Sequence, residues 1–274
     1  MSHEDFARSA AYELTARERR EAQRLIDARV RTRRPLAYLI HEAWLGDHRF
    51  YVDERVVVPR SFIAELLREH LKPWISRPAS VRRVLELCTG SGCLAVLLAL
   101  SFPRATVMAT DISRAALNVA RRNVAAYGLA RRIQLVGADL FPSFASGLFD
   151  LIVANPPYVE AKAMRGLPPE YGHEPRVALS GGPDGLHFVR RILLEAARFL
   201  RPRGLLLVEI GNNRRKLEKA YPNVPFMWVE TSAADSAVFL LSREELPPSN
   251  PWLRGKLRNR RHSSKSTRLR GPRL

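Results

Sequence analysis

The sequence predicts an α/β fold, a mostly parallel seven-stranded sheet with helices on both faces. Three observations predict it. From Val81 onward short apolar runs alternate with helical stretches. A Gly-containing turn follows the first of those runs, and polar residues close each of the first four. Strands are expected at Val84–Leu87, Thr106–Thr110, Ile133–Val136, Leu151–Ala154, Gly204–Ile210, Phe226–Glu230 and Ala237–Leu241. Helices are expected at Cys93–Ser101, Ser113–Tyr127, Asp184–Leu200 and Asn212–Ala220. No helix separates the last two strands, so at least one of them should pair antiparallel.

Ahead of the sheet, residues 9–31 carry Leu14, Ala22, Leu25, Ile26 and Val30 at helical spacing, with a capping box at Thr15 and Glu18. The turn Gly46-Asp47 and the alternating run Arg49–Pro59 predict a hairpin. A helix over Ser61–Leu71 and a Pro-containing linker, Lys72–Ser80, complete this region. The division expected is an N-terminal helix and hairpin region (1–80), a sheet domain (81–246) and a tail (247–274).

Composition narrows the function classes. The longest apolar stretch, Leu94–Leu100, is far short of the roughly 20 residues a membrane-spanning helix needs. The opening residues, Met1 to Phe6, do not have the pattern of a signal peptide. Only Cys88 and Cys93 are present, which argues against a disulfide framework or a metal site and for a reducing, cytoplasmic setting. Net charge is +18, and the nine basic residues of 247–274 account for half of it. That tail has no acid and no apolar periodicity, so disorder is expected, with contact to a ribosomal particle or RNA as a possible role.

The chemistry sits at the carboxyl ends of the strands. The first strand runs into Cys88-Thr-Gly-Ser-Gly-Cys93, where Gly90 and Gly92 allow a tight turn and a close ligand approach to a helix N-terminus. Asp111 ends the second strand about 20 residues on, the place of an acid that accepts from ribose hydroxyls. Asp139 and Leu140 end the third. The fourth stops at Asn155-Pro-Pro-Tyr158, whose prolines forbid continuation of strand or helix. This loop suits a planar nitrogen substrate. Asn155 offers a side-chain carbonyl and Pro156 a carbonyl at a fixed angle, while Pro157 stiffens the loop and Tyr158 can stack. The glycines alone also fit an NAD-dependent dehydrogenase, which gives no reason for Asn-Pro-Pro-Tyr.

Taken together these residues resemble the class I, Rossmann-like methyltransferases that use S-adenosylmethionine. The resemblance implies that Cys88, Thr89, Gly90, Ser91 and Gly92 surround the methionine part of the cofactor. Asp111 would hold the ribose, Ile112 would lie against the adenine, and Asp139 with Leu140 would border it from the other side. Glu86 stands where that family usually has Asp. Asn155, also at the cofactor's edge, with Pro156, Pro157 and Tyr158 would form the catalytic clamp. The clamp is common to adenine amino-methyltransferases and protein glutamine methyltransferases. Glu170–Leu179 followed by Ser180-Gly-Gly-Pro-Asp-Gly-Leu186 is similar to the glutamine N(5)-methyltransferases.

Within that family Val58-Pro-Arg-Ser-Phe-Ile-Ala-Glu-Leu66, Ala43–Gly46, Phe50–Val56, Leu87–Cys93 and Tyr221–Trp228 resemble the branch acting on a glutamine of ribosomal protein L-three. The alternatives are a release-factor glutamine methyltransferase, an N6-adenine methyltransferase, and an RNA-binding factor on a decayed fold. The departures are a short N-terminal helical domain, Ser232–Ser236 in place of a Gly-containing turn, and the extra basic tail.

Overall fold

The computed structural model describes residues 13–143, 149–232 and 237–246. The tail, most of the Ser232–Ser236 turn and the first residues of the expected N-terminal helix lie outside the described residues.

Seven strands form the main sheet: β3 (Arg83–Leu87), β4 (Thr106–Asp111), β5 (Ile133–Gly137), β6 (Phe149–Ala154), β7 (Leu200–Glu209), β8 (Met227–Val229) and β9 (Val238–Ser242). Their order is β5-β4-β3-β6-β7-β9-β8. Pairs from β5 to β7 are parallel, and β9 runs antiparallel to both neighbours, as the missing helix between the last two strands requires. The helix Cys93–Ser101 coincides with its expected bounds, and Arg114–Ala126, His187–Phe199 and Arg214–Ala220 lie within theirs. β7 is longer than expected because Leu200 already pairs with Phe149 across a register shift.

Side chains alternate across the sheet, and each face has its own core. Val84, Val107, Leu151 and Leu207 pack under the Cys93–Ser101 helix, while Leu85, Leu87, Ile152 and Leu206 pack with the helix His187–Phe199. Chain order reverses at the centre, where β3 leads to β4 on one side and lies against β6 on the other. Open α/β sheets bind ligands at such a switch point. Leu87 and Ala154 are register partners. The Gly loop and the Asn-Pro-Pro-Tyr loop therefore leave neighbouring strands, about 4.8 Å apart.

The N-terminal region departs further from expectation. The hairpin turns at Gly46-Asp47, but its arms are only β1 (Ala43–Leu45) and β2 (His48–Phe50). Beyond Phe50 the alternation is not a strand, because Asp53 folds the chain back. Its carboxylate accepts from the Arg55 amide (3.1 Å), the Arg55 guanidinium (2.8 and 2.5 Å) and the Tyr51 hydroxyl (2.9 Å). Val52 and Val56 are buried there with Tyr38, whose hydroxyl donates to the Val56 carbonyl at 2.5 Å. The helix expected over Ser61–Leu71 is limited to Ile63–Arg68. The capping box at Thr15 and Glu18 opens the helix Ala16–Thr32, but none of that helix's residues is buried. Its apolar stripe is left half-covered or exposed, with Val30 71% accessible. Polar contacts at its end hold it instead: Arg29 and Arg33 each reach Glu170 at 2.7 Å, and His173 Nε2 lies 3.0 Å from the Thr32 carbonyl.

Candidate active site

The loop after β3 is shaped by two glycines with different tasks. Gly92, at φ 77°, is pressed against the helix Arg114–Ala126; a Cβ there would lie 3.0 Å from that of Ala120. Gly90, at φ 55°, would meet nothing within 4 Å, so its left-handed backbone borders open space. The Gly90 amide donates to Asp111 Oδ2 at 2.8 Å, and the Ser113 amide to Asp111 Oδ1 at 2.8 Å. Asp111 thus ties the loop to the end of β4. Ile112 beside it is 62% exposed.

Glu86 is buried and accepts from the Thr89 hydroxyl at 2.5 Å. Burial pushes its carboxyl up to about 8, opposed by the Thr89 bond. No ion pair to Glu86 occurs among the described residues. Cys88 and Cys93 are also pushed upward by burial, so both remain thiols at neutral pH. Ser91 and Cys93 share a hydrogen bond of 2.9 Å.

Asp139 and Leu140 play parts the sequence did not disclose. Asp139 is paired with Arg191 at 2.8 Å. Leu140, at φ 64°, buries its side chain in the core, and its carbonyl accepts from the Thr110 hydroxyl at 2.7 Å.

The clamp is built from four distant segments. Asn155 Nδ2 donates to the Arg60 carbonyl at 3.1 Å. That bond fixes which way the amide faces and leaves Asn155 Oδ1 without a hydrogen bond among the described residues. The Arg60 guanidinium is itself held: Nη2 reaches both oxygens of Glu174 at 2.6 and 2.7 Å, and Nη1 donates to the Tyr171 hydroxyl at 2.8 Å. Glu174 is raised by burial against the opposing pull of Arg60. Next to Arg60, the Ser61 hydroxyl and the Phe62 amide donate to Glu209 at the end of β7, at 2.6 and 3.0 Å. Burial brings the Glu209 carboxyl up to about 7.

Tyr158 is seated by glycines. A Cβ on Gly181 would lie 2.6 Å from Tyr158 Cα, one on Gly185 2.5 Å from the Tyr158 carbonyl, and one on Gly211 2.6 Å from its ring. Asn213 Nδ2 donates to the Tyr158 carbonyl at 2.8 Å. The Ser-Gly-Gly-Pro-Asp-Gly pattern is thus explained by close packing on the loop that carries Tyr158. The sequence pattern assigns no role to Arg60, Glu174, Arg191, Glu209 or Asn213. Glu209 had a readable signal, an acid closing an apolar strand as Asp111 does.

The methyltransferase small domain matches residues 63–167. The ribosomal protein uL3 glutamine methyltransferase of Neisseria gonorrhoeae is 55% identical over 229 residues, covering 84% of this chain and 76% of that protein. The protein of that name in Bordetella pertussis is 52% identical, covering 84% of this chain and 77% of its own. The chain belongs to the ribosomal protein uL3 glutamine methyltransferase family. Solved structures show the same fold at low identity. The human Mettl16 catalytic domain has a TM-score of 0.54 at 18% identity, covering 70% of this chain and 74% of its own. A Pyrococcus furiosus methyltransferase has a TM-score of 0.51 at 18% identity, covering 82% and 98%.

A uL3 glutamine methyltransferase uses S-adenosylmethionine, and the residues present fit it. The open space at Gly90 admits a ligand against bare backbone. Buried Glu86, held by a hydroxyl and lacking a cationic partner among the described residues, suits the cofactor's amino group. Among the described residues no cluster could hold a metal ion, and no helix is long and apolar enough to cross a membrane.

Proposed function

We propose that this chain methylates the side-chain amide nitrogen of a glutamine in ribosomal protein uL3. The observation that carries the reading is the orientation of Asn155. With Nδ2 spent on the Arg60 carbonyl, Oδ1 is left to accept one N–H of a planar carboxamide. The Pro156 carbonyl accepts no hydrogen bond among the described residues and can take the other. Two such acceptors would hold the amide NH₂ and stabilise the state in which its lone pair localises on nitrogen. Tyr158, pushed up to about 12 by burial and then by the nearby Glu209, stays neutral and offers a ring face to the amide plane.

Bound S-adenosylmethionine supplies an electrophilic methyl on a sulfonium. Thr89 to Gly92 with Glu86 would hold its amino-acid part and Asp111 its ribose. Ile112 would cover one face of the adenine, with Asp139 and the Leu140 backbone at the other. Asn155 and Pro156 orient the acceptor nitrogen, which gains a methyl and releases one proton to solvent. Uncharged clamp residues suffice, because the methylated nitrogen sheds its proton without a strong base.

The relatives' shared name supports uL3 over release factors or adenine as the target. uL3 isolated from cells with and without the enzyme would be compared by mass spectrometry. Loss of 14 daltons from one glutamine in its absence supports the reading. An unchanged uL3, with methyladenine lost from nucleic acid instead, overturns it.

A further inference from the structure

The edge of the sheet opposite the site has a different character. Arg82 and Arg83 open β3, Arg104 precedes β4, and Arg131 precedes β5; all four are exposed. The register places them side by side. Arg83 is the partner of Thr106, the Thr106 amide donates to the Arg82 carbonyl at 2.9 Å, and the Val107 amide to the Arg132 carbonyl at 2.8 Å. Three adjacent strand entries about 4.8 Å apart therefore present arginines on one side. Arg83 and Arg131 also line one concavity with Thr106 and Gln134.

The acids near this edge are already engaged. Asp150, at the start of β6, accepts from the Arg82 and Arg83 amides at 2.8 Å each and pairs with Arg201 at 2.9 Å. Glu244 accepts from the Arg203 amide at 3.0 Å, and Glu245 from the Ser242 amide and hydroxyl at 2.7 and 2.8 Å. Among the described residues Arg82, Arg83, Arg104 and Arg131 form no ion pair. Like charges clustered on adjacent strands oppose folding, so an external anion is the natural counterpart.

We propose that this amino edge of the sheet binds the phosphate backbone of structured RNA. Guanidinium forks match phosphate oxygens in pairs, and a nucleic-acid backbone presents a charge every few ångströms along such a row. The enzyme would rest on RNA by its back while the clamp faces a protein loop. The inference is independent of which residue is methylated.

Fluorescence anisotropy with a 20-base-pair RNA hairpin, over a series of salt concentrations, tests it in the full chain. The edge variant is Arg83→Gln, Arg104→Gln, Arg131→Gln; the control, Arg17→Gln, Arg20→Gln, Arg31→Gln, removes equal charge from the N-terminal helix. Both retain the basic tail, so its contribution cancels. The edge variant is expected to lower the slope of log affinity against log salt by about 2 to 3, near 0.9 per phosphate released. The control should move it by less than half as much, and methylation of a short glutamine peptide should be unchanged in both. Equal losses in the two variants, or an unchanged slope, overturn the proposal. So does edge-dependent binding to phosphatidylserine vesicles with RNA binding unaffected.

Discussion

The proposed cofactor loop and substrate clamp leave neighbouring strands, yet they are constructed in opposite ways. The loop is local: Glu86 to Gly92 are contiguous, and one acid from the next strand, Asp111, fastens it. The clamp is assembled at long range. Asn155 depends on the Arg60 carbonyl, Arg60 on Glu174, and Tyr158 on Gly181 and Gly185 from one stretch and Gly211 and Asn213 from another. A contiguous loop can be damaged in binding alone. A clamp assembled from distant parts should lose turnover whenever any support shifts.

The largest contrast is expected between two glycines. Gly185→Ala places a methyl 2.5 Å from the Tyr158 carbonyl at a φ of 78°. Methyl transfer should fall by about 100-fold or more, with a stability loss of about 2–3 kcal/mol from overpacking and backbone strain. Gly90→Ala meets no atom within 4 Å. It should cost about 1 kcal/mol of stability from its left-handed φ while weakening cofactor binding far more than that. Thermal melts with calorimetric titration of S-adenosylmethionine separate the two; equal profiles would erase the distinction.

Asp111→Ala comes next. Losing charge-assisted bonds should weaken cofactor binding by about 1.5–3 kcal/mol, roughly 10- to 150-fold. The rate at saturating cofactor should change little. A rate loss equal to the affinity loss would mean that the loop also governs the clamp.

Glu86 gives the loop a pH signature. Its carboxyl, raised from 4.5 to about 8, carries a proton at neutral pH without the cofactor. A bound ammonium favours the ionised form, so binding expels that proton. Affinity should rise with pH up to about 8 and then level off. Glu86→Gln should flatten the profile, measurable as proton release in two calorimetry buffers of different ionisation enthalpy.

The smallest effect expected is from Glu174→Gln, which keeps shape but weakens the hold on Arg60. Turnover should fall about tenfold or less, by analogy with one charged hydrogen bond becoming neutral. Cofactor affinity should be unchanged. A shift in cofactor affinity alone would place Glu174 outside the clamp.

The same local-versus-distant contrast decided what the sequence disclosed. Strands β3 to β6, the Cys93–Ser101 helix and the Gly loop were legible because each is encoded by adjacent residues, as apolar runs closed by glycine or an acid. Leu140 has a feature that no sequence pattern displays, a left-handed φ with its side chain buried in the core. The strand expected beyond Phe50 failed because Asp53 captures Arg55 and Tyr51, a local bond that outweighs alternation. The roles of Arg60, Glu174, Glu209 and Arg191 needed contacts across 50 to 150 residues, which no pattern in one sequence displays.

The most direct test is Asn155→Ala, with cofactor affinity and single-turnover methyl transfer to uL3 measured on the same preparation. Removing the oriented acceptor should slow transfer about 100- to 1000-fold, the size of losing one preorganised group at a reacting centre. Affinity for S-adenosylmethionine should stay within about threefold, because the proposed role of Asn155 is to orient the substrate amide, not to anchor the cofactor. Transfer at the wild-type rate, or a loss accounted for entirely by weaker cofactor binding, would contradict the assignment of the clamp.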